Sequence, residues 1–101
     1  MARTRPDKVD RQIQQAGLPS AGQVPFIPKL DQNRKGEPII RKATIQHGPK
    51  QGKKGFVDTQ GRIWIKDRAH AGDPDHWDVQ EDGGRTYFRV DFDGNTLDED
   101  P

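Results

Sequence analysis

Gly55-Phe56-Val57-Asp58-Thr59-Gln60-Gly61-Arg62-Ile63-Trp64-Ile65-Lys66 is followed, after a break, by Asp75-His76-Trp77-Asp78-Val79-Gln80-Glu81 and Arg85-Thr86-Tyr87-Phe88-Arg89-Val90-Asp91-Phe92. These are short runs rich in β-branched and aromatic residues, separated by Gln60-Gly61 and Asp82-Gly83-Gly84. That punctuation is the signature of antiparallel strands joined by tight turns. Side chains on a strand alternate between faces, so parity sorts each run. Ile63 and Ile65, Trp77 and Val79, and Phe88, Val90 and Phe92 form the expected apolar face. The other parity gives Arg62, Trp64 and Lys66, then His76, Asp78 and Gln80, then Tyr87 and Arg89, and these are expected to share a second surface. Asp93-Gly94-Asn95 opens a third turn before an acidic tail, Asp98 to Pro101.

Working toward the N-terminus, Gly48 to Gly55 reads as a flexible basic loop carrying Lys53 and Lys54, because its glycines and proline leave little to pack. Pro38 to His47 holds β-branched residues suited to a strand or a docked extended segment, with helix an alternative. Pro19 to Pro38 is broken by Pro25, Pro28 and Gly36 and reads as an extended linker, with Val24, Phe26 and Ile27 as points where it is pinned to the body. Val9 to Ala16 is made mostly of good helix formers and is stopped by Gly17-Leu18-Pro19. The expectation is an α+β fold: a small antiparallel β-sheet of four or five strands with a short N-terminal helix and an extended basic arm. Residues 1–37 form that loosely ordered arm, 38–97 the β-rich domain and 98–101 the tail.

A chain of 101 residues with 29% hydrophobic residues has room for one domain with a small core. The absence of cysteine excludes a disulfide framework and thiolate metal sites. No run approaches the length of an apolar membrane span, and the N-terminal residues lead into no signal-peptide core, so no membrane partner is expected. The net charge of +1 conceals an asymmetry. Residues 1–54 carry 12 Lys/Arg against 4 Asp/Glu and residues 55–101 carry 5 against 12, so +8 and −7 sum to +1. A basic arm beside an acidic body fits a nucleic-acid binder whose cations displace counterions from phosphates. Attraction between the two halves is the competing explanation.

The polar parity set suits RNA chemistry. Cleavage without metal needs a base for the 2′-hydroxyl proton, an acid for the leaving oxygen and cations for the phosphorane charge. Histidine serves both proton roles near neutral pH. His76 and His70 flank the turn Ala71-Gly72-Asp73-Pro74, and Asp78 shares His76's face and is placed to orient its ring. Arg62, Lys66 and Arg89 are candidate phosphate ligands, and Trp64 and Tyr87 candidate stacking platforms. Trp64 also suits a core position beneath the helix. His47, isolated in the chain, is a weaker candidate for a third histidine. His70, Asp73, Asp75, His76 and Asp78 also crowd oxygen and nitrogen ligands into a short span, but their spacing matches no standard zinc pattern. No phosphate-binding P-loop or serine-nucleophile elbow is present.

Taken as a string, Gly55 to Ile65, then Ala69-His70-Ala71-Gly72 and His76-Trp77-Asp78-Val79-Gln80, resembles the C-terminal domains of bacterial polymorphic toxins, and looks like the type 37 polymorphic toxin domain or a close neighbour. The resemblance covers residues 48–97 and rests mainly on the H-W-D-V-Q core. It implies a toxin module acting as a nuclease, secreted or delivered into a target bacterial cell and acting in its cytoplasm. A cognate immunity protein is the implied partner, expected to be acidic where it covers the basic groups. His70, His76, Asp78 and Gln80 are the implied catalytic residues. Asp73-Pro74-Asp75 is more acidic than the Gly-Pro turn of that family.

These readings give a metal-independent ribonuclease working by transesterification, with no cofactor and with RNA, tRNA among the candidates, as substrate. His70 and His76 share the acid and base roles, and Arg62, Trp64, Lys66, Tyr87, Arg89, Lys53 and Lys54 contact substrate. A metal-dependent DNase toxin and a non-enzymatic protein-interaction module are the alternatives.

Overall fold

A computed structural model describes residues 7–67 and 76–97. It contains one helix, α1 (Asp7–Ala16), and seven strands: β1 (Leu30–Gln32), β2 (Pro38–Ile40), β3 (Lys42–Thr44), β4 (Lys54–Val57), β5 (Ile63–Asp67), β6 (His76–Glu81) and β7 (Thr86–Val90). β1 and β2 pair as a hairpin, and the remaining five form an antiparallel sheet in the order β3-β4-β5-β6-β7. The fold is thus a small α+β fold with one short N-terminal helix. Among the described residues no helix is long and apolar enough to cross a membrane.

α1 presents Val9, Ile13 and Ala16 at helical spacing, and Val9 and Ile13 are buried. Gly17 ends it at φ 79°. The Gly17 N–H donates to Gln14 O and the Leu18 N–H to Ile13 O, both at 3.1 Å, which is the Schellman arrangement, and Leu18 and Ile13 belong to the same apolar core. The Trp77 indole donates to Gly17 O at 3.1 Å and ties this end to the sheet.

Residues 7–37 are not the loose arm that composition suggests. Val9, Ile13, Leu18 and Phe26 join Ile40, Trp64, Trp77, Val79 and Val90 in the main core. The proline-rich stretch satisfies its backbone by running along the body. The Lys29 N–H donates to Val57 O at 2.9 Å, the Thr59 N–H to Ile27 O at 2.9 Å and the Arg41 N–H to Lys29 O at 2.8 Å. An extended segment needs no periodicity of its own when a neighbouring strand edge receives its hydrogen bonds.

The turn between β4 and β5 is organised by Asp58, which is 1% exposed. One carboxylate oxygen accepts the N–H groups of Gln60 (3.0 Å) and Arg62 (2.9 Å), and the other accepts Arg62 Nε (2.8 Å) and the Trp64 indole (2.9 Å). Four donors satisfy a buried carboxylate, and Gly61 at φ 82° closes the turn. The Asp58-x-x-Gly61-Arg62-x-Trp64 string therefore has a structural meaning.

The expected sharing of faces is corrected by register. Trp64 stands opposite Phe56 and Val79, while Ile63 stands opposite Gln80 and Ile65 opposite Asp78. Directly opposed residues point the same way. Trp64 therefore joins Trp77 and Val79 in the core, and Ile63 and Ile65 lie on the face of His76, Asp78 and Gln80. β5 is apolar on both sides because both sides are covered. One lies under α1 and residues 18–40, and the other carries a second apolar cluster of Ile45, Val57, Ile63 and Ile65.

Candidate active site

β6 alternates Trp77 and Val79 into the core with His76, Asp78 and Gln80 on the other face. All three polar residues are buried. Their cover comes from residues 45–53, most of which fall in the Gly48–Gly55 stretch expected to be a flexible loop. Its ends are tied together by Ile45 N–H to Lys53 O (2.8 Å) and Gly52 N–H to Ile45 O (2.9 Å). It is also fastened to the β6–β7 turn, where the N–H groups of Gln46 (3.0 Å) and His47 (2.9 Å) both donate to Gly83 O. Gly84, at φ 109°, permits this approach, since a Cβ there would overlap the His47 carbonyl.

The clasp positions Lys50. Its Nζ lies 3.3 Å from Asp78 Oδ2, and Asp78 Oδ1 lies 3.7 Å from His76 Nε2. The carboxylate thus has an ammonium group on one side and an imidazole on the other. The first is a charge-assisted contact, whereas the second is beyond hydrogen-bond length and acts through the field. Lys50 compensates the buried negative charge of Asp78. Gln80 completes the row differently. Among the described residues neither its Oε1 nor its Nε2 has a hydrogen-bond partner, although both are buried. An unpartnered buried amide costs about 1–3 kcal/mol.

β7 borders the row, with Tyr87 opposite Gln80 and Arg89 opposite Asp78. Both side chains are exposed on the site face. At the foot of β7, an Arg85 guanidinium nitrogen lies 3.2 Å from His47 Nε2.

Other candidate residues stand elsewhere. Arg62 is held by Asp58 and lies over the Phe88 ring at 5.8 Å, on the core side. Trp64 is fully buried, with its ring 5.3 Å from Phe26, and so offers no stacking surface. Lys66 lies over the Phe92 ring at 5.3 Å and belongs to the same parity as Trp64. Lys54 shares the parity of Phe56 and faces away from the row, while Lys53 is exposed at the end of the covering segment. His70, with Asp73 and Asp75, lies outside the described residues. Among the described residues, no group of three or more His, Asp or Glu side chains is arranged to hold a metal ion.

Lys50, and the His47–Arg85 pair, are the residues that parity could not find, because neither Lys50 nor His47 is on a strand. The sequence signal for Lys50 is the basic, glycine-punctuated stretch from His47 to Gly55, and His47 was legible only as an isolated histidine. Comparison of the chain with protein-family models, with curated proteins and with solved structures returned no match.

Proposed function

We propose that the protein is a toxin nuclease module that cleaves RNA by metal-independent transesterification. The observation that carries this reading is the cluster in which half-buried Lys50 meets buried Asp78 and His76, beside the unpartnered amide of Gln80. A histidine backed by a carboxylate is a proton-transfer group, and a lysine in the same cluster supplies positive charge for a phosphorane. In the reaction, a base removes the 2′-hydroxyl proton, O2′ attacks phosphorus and the bond from phosphorus to O5′ breaks. An acid protonates O5′, leaving a 2′,3′-cyclic phosphate and a 5′-hydroxyl. His76 holds one of these roles and His70 the other. Gln80 donates and accepts hydrogen bonds with substrate, and Arg89 and Lys50 provide cations.

The resemblance of the H-W-D-V-Q core to polymorphic toxin domains supports placing this chemistry in competition between bacteria, with delivery into a target cytoplasm. A cognate immunity protein would neutralise the module. Its acidic groups would meet Lys53, Arg85 and Arg89 on the exposed rim.

The test is incubation of purified protein with tRNA, rRNA and plasmid DNA, with and without EDTA, beside His70→Ala and His76→Ala variants. Cleavage of RNA that survives EDTA and is lost in both variants is the expected result. Cleavage of DNA that EDTA abolishes would replace this reading with a metal-dependent DNase. No cleavage by a folded parent would leave a protein-interaction module.

A further inference from the structure

Tyr87 is 53% exposed although it stands directly across from buried Gln80. On the opposite face of the same strand, Phe88 packs against the core. β7 therefore has a phenol ring turned outward at the border of the polar row. Two residues earlier, Arg85 meets His47, and the position of that histidine is fixed by its backbone clasp to Gly83. An imidazole nitrogen 3.2 Å from a guanidinium leaves the remaining guanidinium donors for an outside acceptor. Arg85 Nε also lies 3.7 Å from Asp82 Oδ2, but these side chains are 60% and 76% exposed. An ion pair so open to water is weak and yields readily to a phosphate.

We propose that this border grips unpaired RNA: Tyr87 stacks one base, and Arg85 with His47 holds a neighbouring backbone phosphate. The inference rests on the ribonuclease reading and adds the form of the substrate. Bases in an A-form duplex have their faces covered by neighbouring bases, so a lone aromatic ring gains nothing from them. Splayed single-stranded bases expose those faces. An aromatic platform flanked by cations is the arrangement that binds single strands with little regard to sequence. Arg89, two residues beyond Tyr87 and on its face, extends the cationic border toward Asp78. A bound strand would thus pass from the His47–Arg85 pair along Tyr87 to the row containing His76.

The experiment is fluorescence anisotropy with a short labelled RNA carrying 2′-O-methyl groups, which cannot undergo transesterification, presented single-stranded or annealed to its complement. Parent, Tyr87→Leu and Arg85→Gln proteins are compared, with folding checked by circular dichroism. The single strand is expected to bind at least about tenfold tighter than the duplex. Loss of one stacked base should weaken Tyr87→Leu by roughly 5- to 150-fold. Arg85→Gln should reduce the slope of log affinity against log salt by about 0.7, one phosphate contact to a single strand. Equal or tighter duplex binding, or parental affinity and salt slope in both variants, overturns the proposal. If the parent binds neither form, the binding proposal fails, and the ribonuclease reading stands or falls separately on cleavage of unmodified RNA. If the parent prefers the single strand as expected but does not cleave the unmodified RNA, that reading alone fails and the binding surface stands.

Discussion

Gln80→Met should make the protein more stable and less active. Gln80 is 1% exposed, and both polar atoms of its amide are buried without a partner. Such a group forfeits about 1–3 kcal/mol of hydration on folding. Methionine has a similar length and flexibility and no strong hydrogen-bonding demand, and near-isosteric replacement in a packed site costs less than about 1.5 kcal/mol. The balance is a gain on the order of 1 kcal/mol, which in a domain of this size raises the melting temperature by about 4–8 °C. Urea unfolding followed by circular dichroism measures the first effect, and cleavage of a single-stranded RNA measures the second. Rate should fall at least tenfold if the amide engages substrate, since one lost hydrogen bond of about 1.4 kcal/mol is a tenfold change. A variant destabilised by 1 kcal/mol or more, with cleavage unaltered, would refute the reasoning. It would show that the amide has a structural partner and is no substrate ligand.

Further outcomes follow from other contacts. Asp58→Ala leaves the Arg62 guanidinium and Trp64 indole without their acceptor and should cost about 3–5 kcal/mol, measured by urea unfolding, with activity lost only as the fold is lost. Lys50→Met removes the ammonium from buried Asp78 and should destabilise by about 1–3 kcal/mol, while Lys50→Arg retains most of the stability. The Glu37 carboxyl is held below its usual range, first by the Asn33 amide and then by Lys8, whose Nζ is 3.1 Å away. A folded value below the unfolded one means that its contribution is complete above the ordinary value of 4.5 and is lost as pH falls through the lowered folded value. Glu37→Gln should therefore flatten the pH dependence of stability in that acidic window and leave it unchanged at neutral pH.

The hairpins were legible because their turns are chemical signals. Gln60-Gly61 and Asp82-Gly83-Gly84 demand unusual backbone angles, and Gly61, Gly83 and Gly84 have positive φ. The helix was legible from its residues and from its glycine stop. Parity also grouped His76, Asp78 and Gln80, since alternation within one strand is a property of its backbone. What parity could not supply was the relation between neighbouring strands. Ile63-Trp64-Ile65 is apolar at every position, so its pattern does not say which face meets Val79. A one-residue choice of register exchanges the two faces, and here it takes Arg62, Trp64 and Lys66 away from the site. Of the points where residues 19–38 were expected to be pinned, Phe26 is buried and Val24 packs on the core, whereas Ile27 is exposed. The rest of that packing was not legible, because it rests on long-range contacts in segments with no period to report.

The division of charge along the chain acquires a more specific meaning from the position of Lys50. Attraction between the halves and attraction for phosphate looked like competing explanations. Lys50 belongs to the basic half and Asp78 to the acidic half, and their 3.3 Å contact brings the two together over β6. Intramolecular attraction therefore helps hold residues 45–53 over His76 and Gln80. The same sheet uses its other face for Trp64 and Trp77, so the buried polar row lies between a rigid aromatic core and a cover fastened by backbone hydrogen bonds and one ion pair. A phosphate reaching this row competes with Asp78 for the same ammonium group. One lysine thus connects the charge pattern of the chain with the closure over β6, and under the proposed function it is also the cation that a substrate phosphate would meet first.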